Sequence, residues 1–187
     1  MSVALSRLST YHPFPSFGPA NATTTLRAAL AAMVWGCLAE SHSTVTAAWV
    51  VTASTIATLL DGVDGWLARR TNMTSAFGAR FDMEVDALLI LALSILVWSY
   101  GKAGAWVLIS GLLRYAFIAA AWILPWMNRP LTPTLRGRAI CVVQIVALIV
   151  AMLPSIVPPT STLVAAAGVA VLLYSFGVDT LWLWRHR

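Results

Sequence analysis

Five of the seven acidic residues of this chain fall in one short stretch: Asp61, Asp64, Asp82, Glu84 and Asp86. Asp61 and Asp64 are spaced i, i+3, and Asp82 and Asp86 are spaced i, i+4, so on helices each pair shares a face. Four carboxylates gathered close to hydrocarbon cannot all stay ionised unless cations join them. A donor set made only of carboxylate oxygens favours hard divalent ions such as Mg²⁺, Mn²⁺ or Ca²⁺ over zinc. Two such ions, about 3.5–4 Å apart, would clamp a phosphate-bearing substrate. Gly65 and Gly78 leave room beside the acids for a ligand or for close helix packing. Arg69, one turn past Gly65, could meet a diphosphate with its planar fork. Glu84 sits about 200° around the helix from Asp82 and is expected to face away.

The elements that must position these residues are apolar helices. The hydropathy pattern predicts six transmembrane helices: 26–39, 45–60 continuing to 68, 78–100, 103–126, 139–153 and 163–184. Helices two and three, joined by a short polar stretch, should be antiparallel neighbours with their acidic faces opposed. Residues 1–187 read as a single membrane domain whose first 20 residues form a juxtamembrane segment. Pro13, Pro15 and Pro19 interrupt that segment and argue against a cleaved signal peptide.

Composition sets the same frame. The 187 residues are 59% hydrophobic and 10% charged, against about 45–50% and roughly a quarter in a soluble domain. That excludes a disordered chain, a nucleic-acid binder and a water-soluble enzyme. The net charge of +5 comes from 12 Lys and Arg against seven acids, and in so apolar a chain it reports orientation and anionic headgroups. With both termini inside, Arg7, Arg27, Arg69, Arg70, Arg80, Arg129, Arg136, Arg138, Arg185 and Arg187 are cytoplasmic. Lys102 lies opposite, and Arg114 lies within a crossing. The acidic cluster is then at the cytoplasmic ends of helices 2 and 3. Cys37 and Cys141 read as small buried hydrophobes, and His12, His42 and His186 are too scattered for a metal site.

The stretch from Asp61 to Asp86 resembles the signature of the CDP-alcohol phosphotransferase (CDP-alcohol phosphatidyltransferase) family, D-x2-D-G-x2-A-R followed, after a spacer, by G-x3-D-x3-D. Asp61, Asp64, Gly65, Ala68, Arg69, Gly78, Asp82 and Asp86 fill its fixed positions. Asn21, Thr24 and Arg27 resemble the N-x2-T-x2-R that often precedes the family's first helix. The resemblance implies six membrane helices, two divalent ions (Mg²⁺ or Mn²⁺) on Asp61, Asp64, Asp82 and Asp86, and Asp86 as the base for the acceptor hydroxyl. It implies that Gly65, Ala68, Arg69 and Gly78 line the CDP site. It further implies a CDP-diacylglycerol donor, a small polar alcohol as acceptor, CMP as leaving group and a homodimer. The expected location is a bacterial inner membrane, with the site facing the cytoplasm.

Arg114, Arg129, Arg136 and Arg138 are candidates for an acceptor or headgroup pocket. A guanidinium within a crossing needs a polar cavity or a carboxylate partner, so Arg114 has a second reading as a structural pair. The three loop arginines have a second reading as orientation signals, and Arg70 and Arg80 read as headgroup anchors. Gly137, Arg138 and Gln144 loosely resemble the G-K-x-K-T-x2-Q of phosphatidylglycerol-phosphate synthases, although Ile140 and Cys141 replace Lys and Thr. Met83 and Ala87 depart from that subfamily as well. Serine, inositol or inositol phosphate is the alternative acceptor. A reading of another class is a small divalent-cation transporter or channel, which would want its carboxylates near the midplane. Asp179 is expected to pair with Arg185 or another base.

Overall fold

The computed structural model of the chain describes residues 19–70, 76–124, 126 and 135–185. A chain this apolar has few ways to satisfy its backbone in lipid, and the helix is the local one. The described residues hold six long helices: α1 (Pro19–Gly36), α2 (Thr44–Arg70), α3 (Ala76–Ser99), α4 (Leu108–Ile123), α5 (Leu135–Met152) and α6 (Thr160–Arg185). No strand occurs among the described residues. Four stretches are long and apolar enough to cross a membrane: Asn21–Ala39, Thr44–Leu67, Ala105–Ile123 and Thr160–Arg185.

Hydropathy misjudged two helix starts for one reason: polar residues at a helix end keep the backbone helical but do not register as apolar. Thus α1 begins at Pro19, not near Leu26, and carries Asn21 and Thr24 on its first turns. Likewise α5 begins at Leu135, so Arg136, Gly137 and Arg138 belong to a helix and not to a loop. The fourth helix starts later than expected, after a 3₁₀ turn at Ala105–Val107. The sharp turn before it rests on Gly101, whose φ of 66° suits a residue without a side chain. Residues 1–18, 71–75 and 127–134, with Arg129 among them, lie outside the described residues, as do His186 and Arg187.

The packing order corrects a second expectation. Helix α3 packs against α1, α4 and α5, whereas α2 packs against α1 and α5. The two acid-bearing helices are therefore diagonal partners, not flanking neighbours. The cause is visible in what α1 contributes: Trp35 Nε1 donates to the Leu88 carbonyl of α3 at 3.0 Å, and Arg27 Nε donates to the Ala57 carbonyl of α2 at 3.2 Å. One helix thus spans the gap and delivers a cation into it.

The core is made of small and branched residues, among them Ala31, Val34, Val50, Leu89, Leu93, Val97, Leu148 and Met152. Two glycines allow close helix contacts. A Cβ at Gly111 of α4 would lie 2.7 Å from Leu91 Cα, and one at Gly168 of α6 would lie 2.8 Å from Ala147 Cβ. Ser94 and Ser110 add a hydrogen bond of 2.8 Å between α3 and α4. At the end of the bundle remote from the acids, Lys102 is buried and donates to the Leu153 and Ile156 carbonyls at 3.1 and 2.5 Å. Its own carbonyl accepts from Ser161 and Thr162. The lone lysine assigned to the far side of the bilayer is thus the cap of the α5–α6 connection.

Candidate active site

The acids sit where the chain alternation requires: Asp61 in the second half of α2, Asp82 and Asp86 in the first half of α3. One carboxylate oxygen from each of Asp61, Asp82 and Asp86 lies within 4.8 Å of the others. Three hard oxygens converging from two facing helices fit a hard divalent ion in donor type and in spread. The side chains of Asp64, Ala68 and Arg69 lie outside the described set, although their backbones belong to α2. Gly65 and Gly78 are half-buried near the same helix ends.

A residue that the chemistry-first reading did not place in the site stands at its centre. Arg27 is 1% exposed. Its Nη1 lies 2.8 Å from Asp61 Oδ1 and also meets Asp82, while Nη2 donates to Asp86 Oδ1 at 2.5 Å. Thr24 and Asn21, about one and two turns earlier, are buried as well, so the i, i+3, i+6 face of α1 forms one wall. A signal for this was present in the sequence, because an arginine inside an apolar helix needs a partner.

Helix α5 supplies another wall. Cys141, expected to be an inert filler, donates its thiol to Asp86 Oδ2 at 3.6 Å. One turn deeper, Gln144 is fully buried against Gly168, and neither of its amide atoms has a hydrogen-bond partner among the described residues. Asp86 therefore has one oxygen on Arg27 and the other on Cys141, which fixes its orientation.

The arginines considered for an acceptor pocket divide differently. Arg114 donates to Glu84 Oε1 at 2.5 Å and to the Met83 sulfur at 3.8 Å. Glu84 thus turns toward α4, not toward Asp61. Arg136 pairs with Asp179 of α6 and is the other base that the sequence left open beside Arg185. Arg138 is exposed. Arg70 stacks over the Trp66 ring at 4.8 Å, as suits an arginine at an interface. Between α1 and α3 lies an apolar groove of about 410 Å³, lined by Ala28, Ala31, Ala32, Trp35, Val85 and Leu88.

Comparison with known proteins agrees with this arrangement. The sequence profile of the CDP-alcohol phosphatidyltransferase family matches residues 18–176. Two curated relatives are CDP-diacylglycerol–serine O-phosphatidyltransferases from two strains of Helicobacter pylori, each 44% identical over 63 residues. That alignment covers 33% of this chain and 25% of each relative, so the chain matches about a quarter of their length.

Proposed function

We propose, from the premise that the chain belongs to the CDP-alcohol phosphatidyltransferase family, that it moves a phosphatidyl group from CDP-diacylglycerol to a small polar alcohol. The observation that carries this reading is the convergence of Asp61, Asp82 and Asp86 within 4.8 Å. Asp64, on the same face of α2 as Asp61, completes the set of metal ligands. A divalent ion, Mg²⁺ or Mn²⁺ and two for the full set, would neutralise the diphosphate and the departing CMP.

The protein's own groups do the rest. Gly65, Ala68, Arg69 and Gly78 line the nucleotide side, where Arg69 offers paired donors to the diphosphate. Asp86, already oriented by Arg27 and Cys141, takes the proton of the acceptor hydroxyl. The hydroxyl oxygen bonds to the phosphorus that carries diacylglycerol, the P–O bond to CMP breaks, and CMP leaves as the anion. The product is a phosphodiester lipid. The groove between α1 and α3 suits an acyl chain of the donor, because it is apolar and its lining residues Ala28 and Val85 adjoin Arg27 and Asp86 in the chain.

Six crossings with both termini cytoplasmic, in a bacterial inner membrane, would place this chemistry at the cytoplasmic surface. The topology rests on the arginine distribution. The relatives' activity favours serine as acceptor over glycerol phosphate, inositol or inositol phosphate. Arg114, Arg136 and Arg138 are the proposed basic groups for the acceptor's anionic group, with Arg129, outside the described residues, as a fourth from the sequence. Asp61, Asp82 and Asp86 lie on unbroken helices, whereas a transport site is expected on discontinuous ones, so transfer is favoured over a cation channel. The deciding experiment gives purified protein in liposomes CDP-diacylglycerol, Mn²⁺ or Mg²⁺ and one acceptor at a time, and identifies the lipid product. Phosphatidylserine with serine is the expected result; no product with any acceptor would refute the reading.

A further inference from the structure

We propose that Arg27 competes with the divalent ion for the same carboxylate oxygens, and so sets how tightly the site holds metal. The inference rests on the metal reading above and gives Arg27, which that reading uses only to orient Asp86, a second role. Three observations carry it.

The first is position. Arg27 is buried, and its Nε is tied to the Ala57 carbonyl of α2 at 3.2 Å. The guanidinium is therefore held in place by the fold and is not a surface group that happens to fall on an acid.

The second is the sharing of acceptors. Nη1 addresses Asp61 and Asp82, and Nη2 addresses Asp86. These are the carboxylates whose oxygens converge within 4.8 Å. The remaining oxygen of Asp86 accepts from Cys141. An ion that takes Asp86 as a ligand, with oxygens at about 2.0–2.6 Å, must displace or share one of these existing contacts.

The third is charge. A guanidinium does not release its proton in a protein. Its positive charge therefore stays beside any dication the cluster binds, and the two repel at close range. The same charge offsets the mutual repulsion of the three acids. Removing it should act in opposite directions: metal binds more tightly, and the metal-free protein becomes less stable. A purely structural clamp would move only the second.

The test measures Mn²⁺ binding to the full-length detergent-purified protein by electron paramagnetic resonance, with thermal unfolding in EDTA and in saturating Mg²⁺. Arg27→Gln is expected to tighten Mn²⁺ about tenfold or more. It should melt below wild type in EDTA and recover most of that difference in Mg²⁺. Arg27→Lys keeps the charge but cannot bridge the acids, so it should tighten Mn²⁺ by less. Should Arg27→Gln fail to fold, Arg27→Lys carries the test alone. Unchanged or weaker Mn²⁺ binding in the folded variant overturns the competition and leaves the metal site standing. Absence of Mn²⁺ binding by wild type overturns both.

Discussion

At the scale of single residues, Asp86 is held at both carboxylate oxygens: one accepts from Arg27 and the other from Cys141. Asn is nearly isosteric but takes up no proton at neutral pH. Asp86→Asn should therefore lower turnover by about 10²–10⁴-fold while the protein elutes and melts close to wild type. Cys141→Ser keeps a donor toward Asp86, and Cys141→Val removes it. The second should reduce turnover more than the first, measured as the initial rate of CMP release. The basic side makes a different prediction. Arg136 is tied to Asp179 and Arg138 is exposed, so neither touches the three converging acids. If they hold the acceptor, Arg138→Gln raises its KM about 5–10-fold with little change in kcat, the signature of lost uniform binding.

At the scale of elements, the close contacts of α3 with α4 and of α5 with α6 are set by glycine. With Leu91 Cα 2.7 Å from a Cβ at Gly111, Gly111→Val must push α4 away from α3. A cost of about 1–3 kcal/mol is expected, read as a lower melting temperature in detergent. This scale also shows what the sequence disclosed. The acids were legible because i, i+3 and i, i+4 spacings report a helix face regardless of the tertiary fold. So was the number of long helices, since apolar runs separated by Gly101 and Pro158-Pro159 mark them. Helix starts were less legible, because Asn21, Thr24, Arg136 and Arg138 look like loop residues when only hydropathy is scored. The diagonal placement of α2 and α3 was hidden, because it depends on α1 inserting Arg27 between them. Pairing partners such as Glu84 for Arg114 and Arg136 for Asp179 depend on helix rotation, which hydropathy does not fix.

For the whole molecule, charge is sorted by end. Arg27, Asp61, Asp82, Asp86, Arg136 and Asp179 gather at one end, and buried Lys102 caps the other. If the basic end faces the cytoplasm, a lone thiol at exposed Ser155 should react with an impermeant reagent from outside intact cells. One at Arg185 should react only after permeabilisation, with Cys37 and Cys141 replaced in both cases. The reverse pattern would invert the topology. The central claim, that the acid cluster at the junction of α1, α2, α3 and α5 carries metal-dependent phosphatidyl transfer, has a more direct test. Initial CMP release should be measured in liposomes containing CDP-diacylglycerol and serine, for wild type with Mn²⁺, wild type with EDTA, and Asp86→Asn with Mn²⁺. The account predicts release in the first case and near-background rates in the other two. Equal release in all three would contradict it.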